Sequence, residues 1–454
     1  MNRFITVDRN TPLLLPPDLR DWVHENDLVK FIIEVIDRTD VSTAHVNHRG
    51  TGSAQYPPRM MLGLLIYSYA CGLFSSRQIE RATYDSVSTR YLCADTHPDH
   101  DTIATFRRRN VELLQECFTT VLQLAREMKL LKVGTLSLDG TKVHSASSKS
   151  QNRSLADLEE EIAELEAKVK NCVEQAEGAD QAEERGGLLL PEELGCTQQR
   201  MEKLKAAEKA LNQRLDALKA RREKTKQKAR NARSMRSGRK ARAETGIKAQ
   251  AEQVRKQRVN VTEPESRLMP VKKQSPQGFI QGYNAQAAVC SEGVGLMVGC
   301  RVTNEASDQG QLEPMLEELA FKPEEVKTVL VDSGYYESLE VERIEQETGV
   351  TILSPPTHAP PSGRVKKSRY GPEHPRSRGL AFKQKMLERM QESANKALYQ
   401  RRKSTVEGAF GMIKATMGFE RFRLRTLAGV NIEWLLCGMA YNCRKIAIQG
   451  KNQG

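Results

Sequence analysis

The chain lacks the features that mark several common protein classes. Its nine cysteines form no CxxC pair, so neither a disulfide frame nor a zinc site is expected, and a reducing compartment is the natural setting. No apolar run is long enough to span a bilayer. The best, Met60 to Phe74, covers about fifteen residues and includes Tyr67, Ser68 and Tyr69, against the ~20 that a spanning helix needs. Nothing apolar follows the charged opening Met1–Arg9, so no secretory leader is expected. Aromatic residues are scarce at 5%, with two tryptophans. Trp22 and Trp434 therefore read as packing residues rather than as a base-stacking platform.

What is present is length and localised charge. The 454 residues suffice for two or three domains of ~100–200 residues each. The net charge of +12 is unevenly spread: Lys219–Arg258 holds 16 Lys/Arg against Glu223, Glu244 and Glu252, a net of +13, and leaves −1 for the rest. Nearly neutral domains thus carry one strongly basic segment, and a polyanion such as nucleic acid is its natural partner. A solvated linker is the alternative.

Residues 1–130 read as helical. Leu19, Trp22, Val23, Leu28, Phe31, Ile32 and Val35 follow helical spacing, Pro58 opens a second helix, and Asp101 is a plausible cap for a long helix through Phe106 and Leu124. Arg107, Arg108 and Arg109 share one turn, which fits either a DNA-binding domain or a packing domain with a solvated cluster. His97 and His100 are too few for a metal site and read as a loop. Val133–Asp139 then reads as a strand ending on an acid. Next, Leu155, Leu158, Ile162, Leu165, Val169 and Cys172 step in a heptad rhythm, and Met201, Leu204, Leu211, Leu215 and Leu218 continue it beyond a glycine-containing break. An antiparallel helical hairpin or a dimerising coiled coil is expected, inserted into another domain over residues 145–276.

Strand patterns resume with Phe279–Cys290 and Val294–Val302. A helix over Gln309–Phe321, a strand Lys327–Asp332, a helix Tyr336–Thr348, a strand Val350–Leu353 and further helices to Ile448 follow. With the insertion removed, the order β-β-β-α-β-α-β-α is that of an α/β ribonuclease-H-like mixed sheet, over residues 131–144 and 277–450, preceded by an all-helical N-terminal domain. Asp139 and Asp332 end its first and fourth strands, which lie side by side in that sheet, and Glu407 lies on a following helix. Three converging carboxylates repel one another unless cations neutralise them. Hard oxygen donors favour Mg²⁺ or Mn²⁺, and two such ions can activate the attacking and stabilise the leaving oxygen in phosphodiester chemistry.

Several separated segments carry a resemblance. Leu138-Asp139-Gly140-Thr141, Val331-Asp332-Ser333-Gly334-Tyr335 and Thr405-Val406-Glu407-Gly408 through Lys414 resemble, in order, the three motifs of bacterial insertion-sequence DDE transposases. Asn260–Met269, Gly282-Tyr283-Asn284-Ala285-Gln286 and Asp101–Arg107 resemble other parts of the branch with a helical N-terminal domain. The resemblance implies metal-dependent cleavage and strand transfer at terminal inverted repeats, on two metal ions. It implies Asp139, Asp332 and Glu407 as catalytic, metal-holding acids and Lys414 as the family lysine. Seven residues make almost two helical turns, so Lys414, like Lys403, falls near the Glu407 stripe, where a cation could hold a DNA phosphate. The family places a Tyr seven and an Arg four residues before the Glu. Here Tyr399 and Arg402 stand one residue earlier, so either the helix bends or Lys403 replaces the Arg. The remaining DNA-contact candidates are Arg107 and Arg108 in the N-terminal region and Lys226, Lys228, Arg230 and Arg233 in the basic segment. A homodimer in complex with element ends and target DNA, acting at the nucleoid in a prokaryotic cytoplasm, is expected. A metal nuclease without strand transfer and a non-catalytic DNA-binding scaffold are the alternatives.

Overall fold

The computed structural model describes residues 18–46, 54–181, 190–231, 257–271, 278–321, 323–356, 371 and 374–453. Side chains in parts of the two long helices of the insert lie outside that description.

Six helices open the described chain: α1 (Leu28–Arg38), α2 (Pro58–Ala70), α3 (Ser76–Asp85), α4 (Val87–Leu92), α5 (His100–Arg109) and α6 (Val111–Glu127). Their starts follow local chemistry. Asp27 accepts from the Val29 amide at the head of α1, Pro58 occupies the first turn of α2, and Ser75 and Gln78 form a capping box on α3. The cap of α5 is Asp99, which accepts from the Asp101 and Thr102 amides, not Asp101 as expected. His97 stacks on Tyr84 and lies against the Thr83 hydroxyl, while His100 contacts Glu80.

The main sheet is built on β1 (Thr135–His144). It pairs antiparallel with β5 (Phe279–Cys290), from Leu136 opposite Cys290 to His144 opposite Gly282, and parallel with β7 (Thr328–Leu330), which pairs parallel with β8 (Thr351–Leu353). On its far side β5 carries β4 (Arg267–Pro270) and β6 (Met297–Thr303), both antiparallel. This is the expected ribonuclease-H-like α/β arrangement with a helical N-terminal region. Two details differ from the sequence reading. β1 continues five residues past Asp139, because Gly140 to His144 remain paired with β5. And β4 belongs to the sheet although it lies within 145–276.

Between β1 and β4, a two-residue strand β2 (Asn152–Arg153) pairs with β3 (Val259–Asn260) at the base of two long helices, α7 (Leu155–Gln181) and α8 (Leu190–Asn231). These pack on each other within one chain. Leu158 and Ile162 share a small buried core with Leu204, Ala207, Leu211 and Leu215, several of the positions that the heptad rhythm selects.

Helix α9 (Leu312–Glu317) joins β6 to β7 and α10 (Ser338–Thr348) joins β7 to β8; after the last strand come α11 (Pro375–Gln391), α12 (Ser393–Gln400), α13 (Arg402–Gly411) and α14 (Leu427–Gln453). The last helix ties the molecule together. Its Asn431 and Asn442 side chains accept from the Val302 and Met297 amides of β6, covering an outer strand. Buried Trp434, Cys437 and Cys443 lie in the core that joins α14 to the sheet and the N-terminal helices. The described cysteines are free thiols, and no helix among the described residues is long and apolar enough to cross a membrane.

The same helix carries a fully buried carboxylate. Glu433 accepts from the Arg423 and Leu424 amides at 2.6 and 2.7 Å and from the Tyr69 hydroxyl at 3.1 Å. Arg107 donates to that hydroxyl at 2.8 Å and to the Phe74 carbonyl at 3.1 Å. Burial raises the Glu433 pKa, and the Arg107 guanidinium, 3.9 Å away, opposes the shift. Arg107 is therefore not a surface contact for DNA. It ties the N-terminal helices to α14 through Tyr69 and Glu433. Arg107→Met is expected to lower the unfolding free energy by about 3–5 kcal/mol, the usual cost of stranding a buried charge, measured by urea denaturation. Were Arg107 a DNA contact, stability would hold and DNA affinity would fall.

Candidate active site

The parallel pairing of β1 and β7 brings two acids together. Ser137 lies opposite Leu330. Two residues further along each chain stand Asp139 and Asp332, so equal offsets carry both to the same level of the sheet. Asp332 leaves the strand and turns: its Oδ1 accepts from the Gly334 amide at 2.6 Å, and its carbonyl accepts from the Ser354 hydroxyl. The Tyr399 hydroxyl donates to the Val331 carbonyl at 3.2 Å, bracing this turn from α12.

Side chains alternate along a strand, and Ser137, Asp139 and Thr141 share one face of β1. That face meets α13 and the turn after it. The Thr405 hydroxyl donates to Ser137 Oγ at 2.9 Å, and Lys414 Nζ donates to Thr141 Oγ1 at 2.7 Å and to the Lys142 carbonyl at 3.0 Å. Between these anchors, Arg402 Nη2 stands 2.7 Å from Asp139 Oδ2, and Nη1 stands 3.8 Å from Glu407 Oε1. The first contact is an ion pair whose angle falls short of a hydrogen bond, and Arg402 Nε has no hydrogen-bond partner in the structure.

A helix break separates Tyr399 from the third motif: the helix ends at Gln400 and restarts at Arg402. Arg402 and Glu407 lie on the same unbroken helix, where Arg402 turns inward and Lys403, four residues before Glu407, stays exposed with it. A π-helical turn, Met412–Thr416, follows α13. The extra residue in such a turn breaks the simple helical stripe, so Lys414 reaches the far part of β1 instead of standing beside Glu407. Burial lowers the Lys414 pKa, and Glu420 opposes that shift.

Burial is also the main cause that pushes the Asp139 pKa up, to about 6. Arg402 and the Gly140 amide oppose the rise, and the charges of Asp332 and Asp308 add to it. Asp308, in the segment after β6, was not selected from the sequence. Its Oδ1 accepts from Asn284 Nδ2 at 2.7 Å and Gln286 Nε2 at 2.8 Å, and Lys142 Nζ lies 3.8 Å away. Lys142 loses basicity through burial and regains some from Asp308, Asp139 and Asp332. The site thus combines four carboxylates, Asp139, Asp332, Glu407 and Asp308, with two nearby cations, Arg402 and Lys142, and two negative charges remain in excess.

Two family models match the chain. A transposase domain (DUF772) covers residues 17–109, and a transposase DDE domain covers residues 259–443. The chain belongs to the insertion-sequence DDE transposases. Compared with curated proteins and with solved structures, it finds no significant match. The second matched segment contains Asp332, Glu407, Asp308 and Arg402, whereas Asp139 precedes it, on the far side of α7 and α8.

Among the described residues of the transposase, no three acids stand close enough to hold a metal ion as the side chains lie. Arg402 spans Asp139 and Glu407, and Glu407 is exposed. The donor set nevertheless fits a hard divalent cation: all its donors are carboxylate oxygens, they carry excess negative charge, and the innermost is held partly against ionisation. An ion there would compete with Arg402 for Asp139 Oδ2. Of the other DNA-contact candidates, Arg108 is exposed near the end of α5 and donates to Thr105 Oγ1. Lys226, Lys228 and Arg230 fall in the last turns of α8, with side chains outside the described residues, and Arg233 lies outside them altogether.

Gly140 leaves no room for a side chain. A Cβ there would stand 2.3 Å from Gln286 Nε2, 2.5 Å from Asp308 Oδ1 and 2.7 Å from Asn284 Oδ1. Gly140→Ala is expected to cost about 1–3 kcal/mol, as overpacking does, seen as a lowered melting temperature. Gly408→Ala on α13, whose Cβ would meet nothing within 4 Å, is expected to gain up to about 1 kcal/mol from helix propensity.

Proposed function

We propose that this transposase cuts phosphodiester bonds at the ends of its element and joins the freed 3′-OH to target DNA, at the site formed by Asp139, Asp332 and Glu407. The observation that carries the reading is the equal offset of Asp139 and Asp332 from the paired residues Ser137 and Leu330 of adjacent parallel strands, with the Glu407 helix pinned over the same face of β1. Two divalent ions, Mg²⁺ or Mn²⁺, held by these three acids, would supply Lewis-acid activation of the attacking and leaving oxygens.

The chain's own residues prepare that chemistry. Arg402, on the buried side of α13, carries its guanidinium between Asp139 and Glu407, where it limits their repulsion. The planar Arg402 guanidinium is also a group that would hold a DNA phosphate bidentately. Lys403, exposed on the same helix, would contact the strand being cut, and Lys414 would do so on leaving Thr141. Lys226, Lys228, Arg230 and Arg233, with the rest of the basic segment, would neutralise phosphates at a distance from the site, and Arg108 would do so from the N-terminal helices. On this reading residues 1–130 form a DNA-binding helical domain, residues 131–144 and 277–450 the catalytic domain, and residues 145–276 an insert. Two element ends call for two active sites, hence a homodimer on DNA, working at the nucleoid in the cytoplasm.

The direct test incubates the protein with linear DNA carrying its element's ends and Mg²⁺, beside Asp332→Ala. Cleaved and joined products are expected with the unaltered protein and only background with the variant. Cleavage without joining would leave a nuclease, and equal products from both proteins would remove Asp332 from the chemistry.

The raised Asp139 pKa gives a pH dependence with a definite sign. The ion needs the carboxylate, and a group titrating at about 6 is half protonated there. Mn²⁺ affinity is therefore expected to be flat above pH 7 and to fall by up to about tenfold per unit below pH 6. A titration series in which affinity stays flat down to pH 4.5 would contradict this.

A further inference from the structure

The Gly282–Gln286 segment has no role in the mechanism above, yet it builds a device beside it. Asn284 and Gln286 lie fully or almost fully buried on β5, opposite Lys142 and Gly140 of β1. The Tyr335 hydroxyl donates to Gln286 Oε1, which turns the Gln286 amide nitrogen toward Asp308. Both amide nitrogens then converge on one oxygen of Asp308, Oδ1. The absent side chain at Gly140 makes this approach possible, since Asp308 Oδ1 lies 2.5 Å from where a Cβ would be.

The clamp leaves the other oxygen directed at the reacting acids. A Cβ built on Gly334 would stand 2.8 Å from Asp332 Oδ1 and 3.6 Å from Asp308 Oδ2. Two carboxylate oxygens from separate segments therefore border the space that Gly334 keeps open. A second, independent observation points to something bound nearby. Asn284 Oδ1 is buried and accepts no hydrogen bond, and it faces the Gly140 position beside Asp308 Oδ1. A buried carbonyl oxygen without a donor is costly unless a cation or an ordered water completes it.

We propose that Asp308 is a fourth metal-binding carboxylate of this active site, its free Oδ2 joining Asp332 around a divalent ion seated over Gly334. Two amides hold Oδ1 so that Oδ2 is offered in one orientation, and a ligand fixed in this way loses little entropy on binding. The inference rests on the metal-dependent reading given above.

The test measures Mn²⁺ alone binding to the full-length protein, by electron paramagnetic resonance of free Mn²⁺, with thermal melting as the control for folding. Asp308→Asn keeps an oxygen for the two amide donors and replaces only the free oxygen. Gly334→Ala keeps every carboxylate and fills the space between them. Each is expected to weaken Mn²⁺ binding about 10–100-fold, the usual effect of disturbing a site's supporting groups; the melting temperature of the metal-free protein is expected to hold for Asp308→Asn and to fall for Gly334→Ala, whose methyl would stand 2.8 Å from Asp332 Oδ1. Asp332→Asn serves as the reference. If Asp332→Asn loses Mn²⁺ while Asp308→Asn binds it as the unaltered protein does, Asp308 is no ligand and the proposal falls alone, whatever Gly334→Ala does, since its methyl also presses on Asp332. If Asp332→Asn also binds normally, or the unaltered protein binds no Mn²⁺, the metal reading falls and takes the proposal with it.

Discussion

Crowding of like charge around the edge of β1 is the constraint on which the rest of this site depends. Asp139 is drawn out of water by α13, and Asp332 and Asp308 stand near enough to raise its pKa further. Such a cluster is stable only with positive charge close at hand. In the protein alone, Arg402 and Lys142 provide part of it. Both cations are themselves largely buried, so neither neutralises the cluster at no cost. A site left with excess negative charge has a standing preference for a further cation.

The surrounding structure can be understood as the means of holding that arrangement. Thr405 and Lys414 fasten the two ends of the Glu407-bearing region to Ser137 and Thr141 of the same strand. Tyr399 braces the turn that carries Asp332. Farther away, the Arg107–Tyr69–Glu433 chain couples the N-terminal helices to α14, and α14 in turn covers β6. The buried charges thus fall into two groups. One joins parts of the fold through hydrogen bonds. The other lies next to the acids, at Arg402 and Asn284; both groups keep buried atoms without a hydrogen-bond partner, Arg107 Nε in the first and Arg402 Nε and Asn284 Oδ1 in the second.

Much of this was legible along the chain. Strand and helix periodicity located β1, β5, β7 and β8 and their neighbours, because a two-sided sheet imposes alternation or short apolar runs on each strand. The heptad leucines marked α7 and α8 as partners. Less legible were features decided by distant neighbours. Arg107 sits in a run of three arginines, and nothing local distinguishes the one that turns inward to Tyr69. Asp308 lies in a polar stretch, Asn304-Glu305-Ala306-Ser307-Asp308, that reads as an ordinary turn. Its partners are 22 and 24 residues earlier. The signal that could have found it is the pair of amides in Tyr283-Asn284-Ala285-Gln286, two same-face polar residues in a buried strand.

The sequence by itself determined the order of elements and the identity of the three motif acids, since both depend on local pattern and on residue type. Tertiary structure decided which cations and which further acid meet them. A π-helical turn at Met412–Thr416 changes which way Lys414 points, and helical counting across it gives the wrong face. Only the closed sheet brings Asn284, Gln286, Gly140 and Asp308 within hydrogen-bonding distance, because strand pairing, not proximity along the chain, sets those separations.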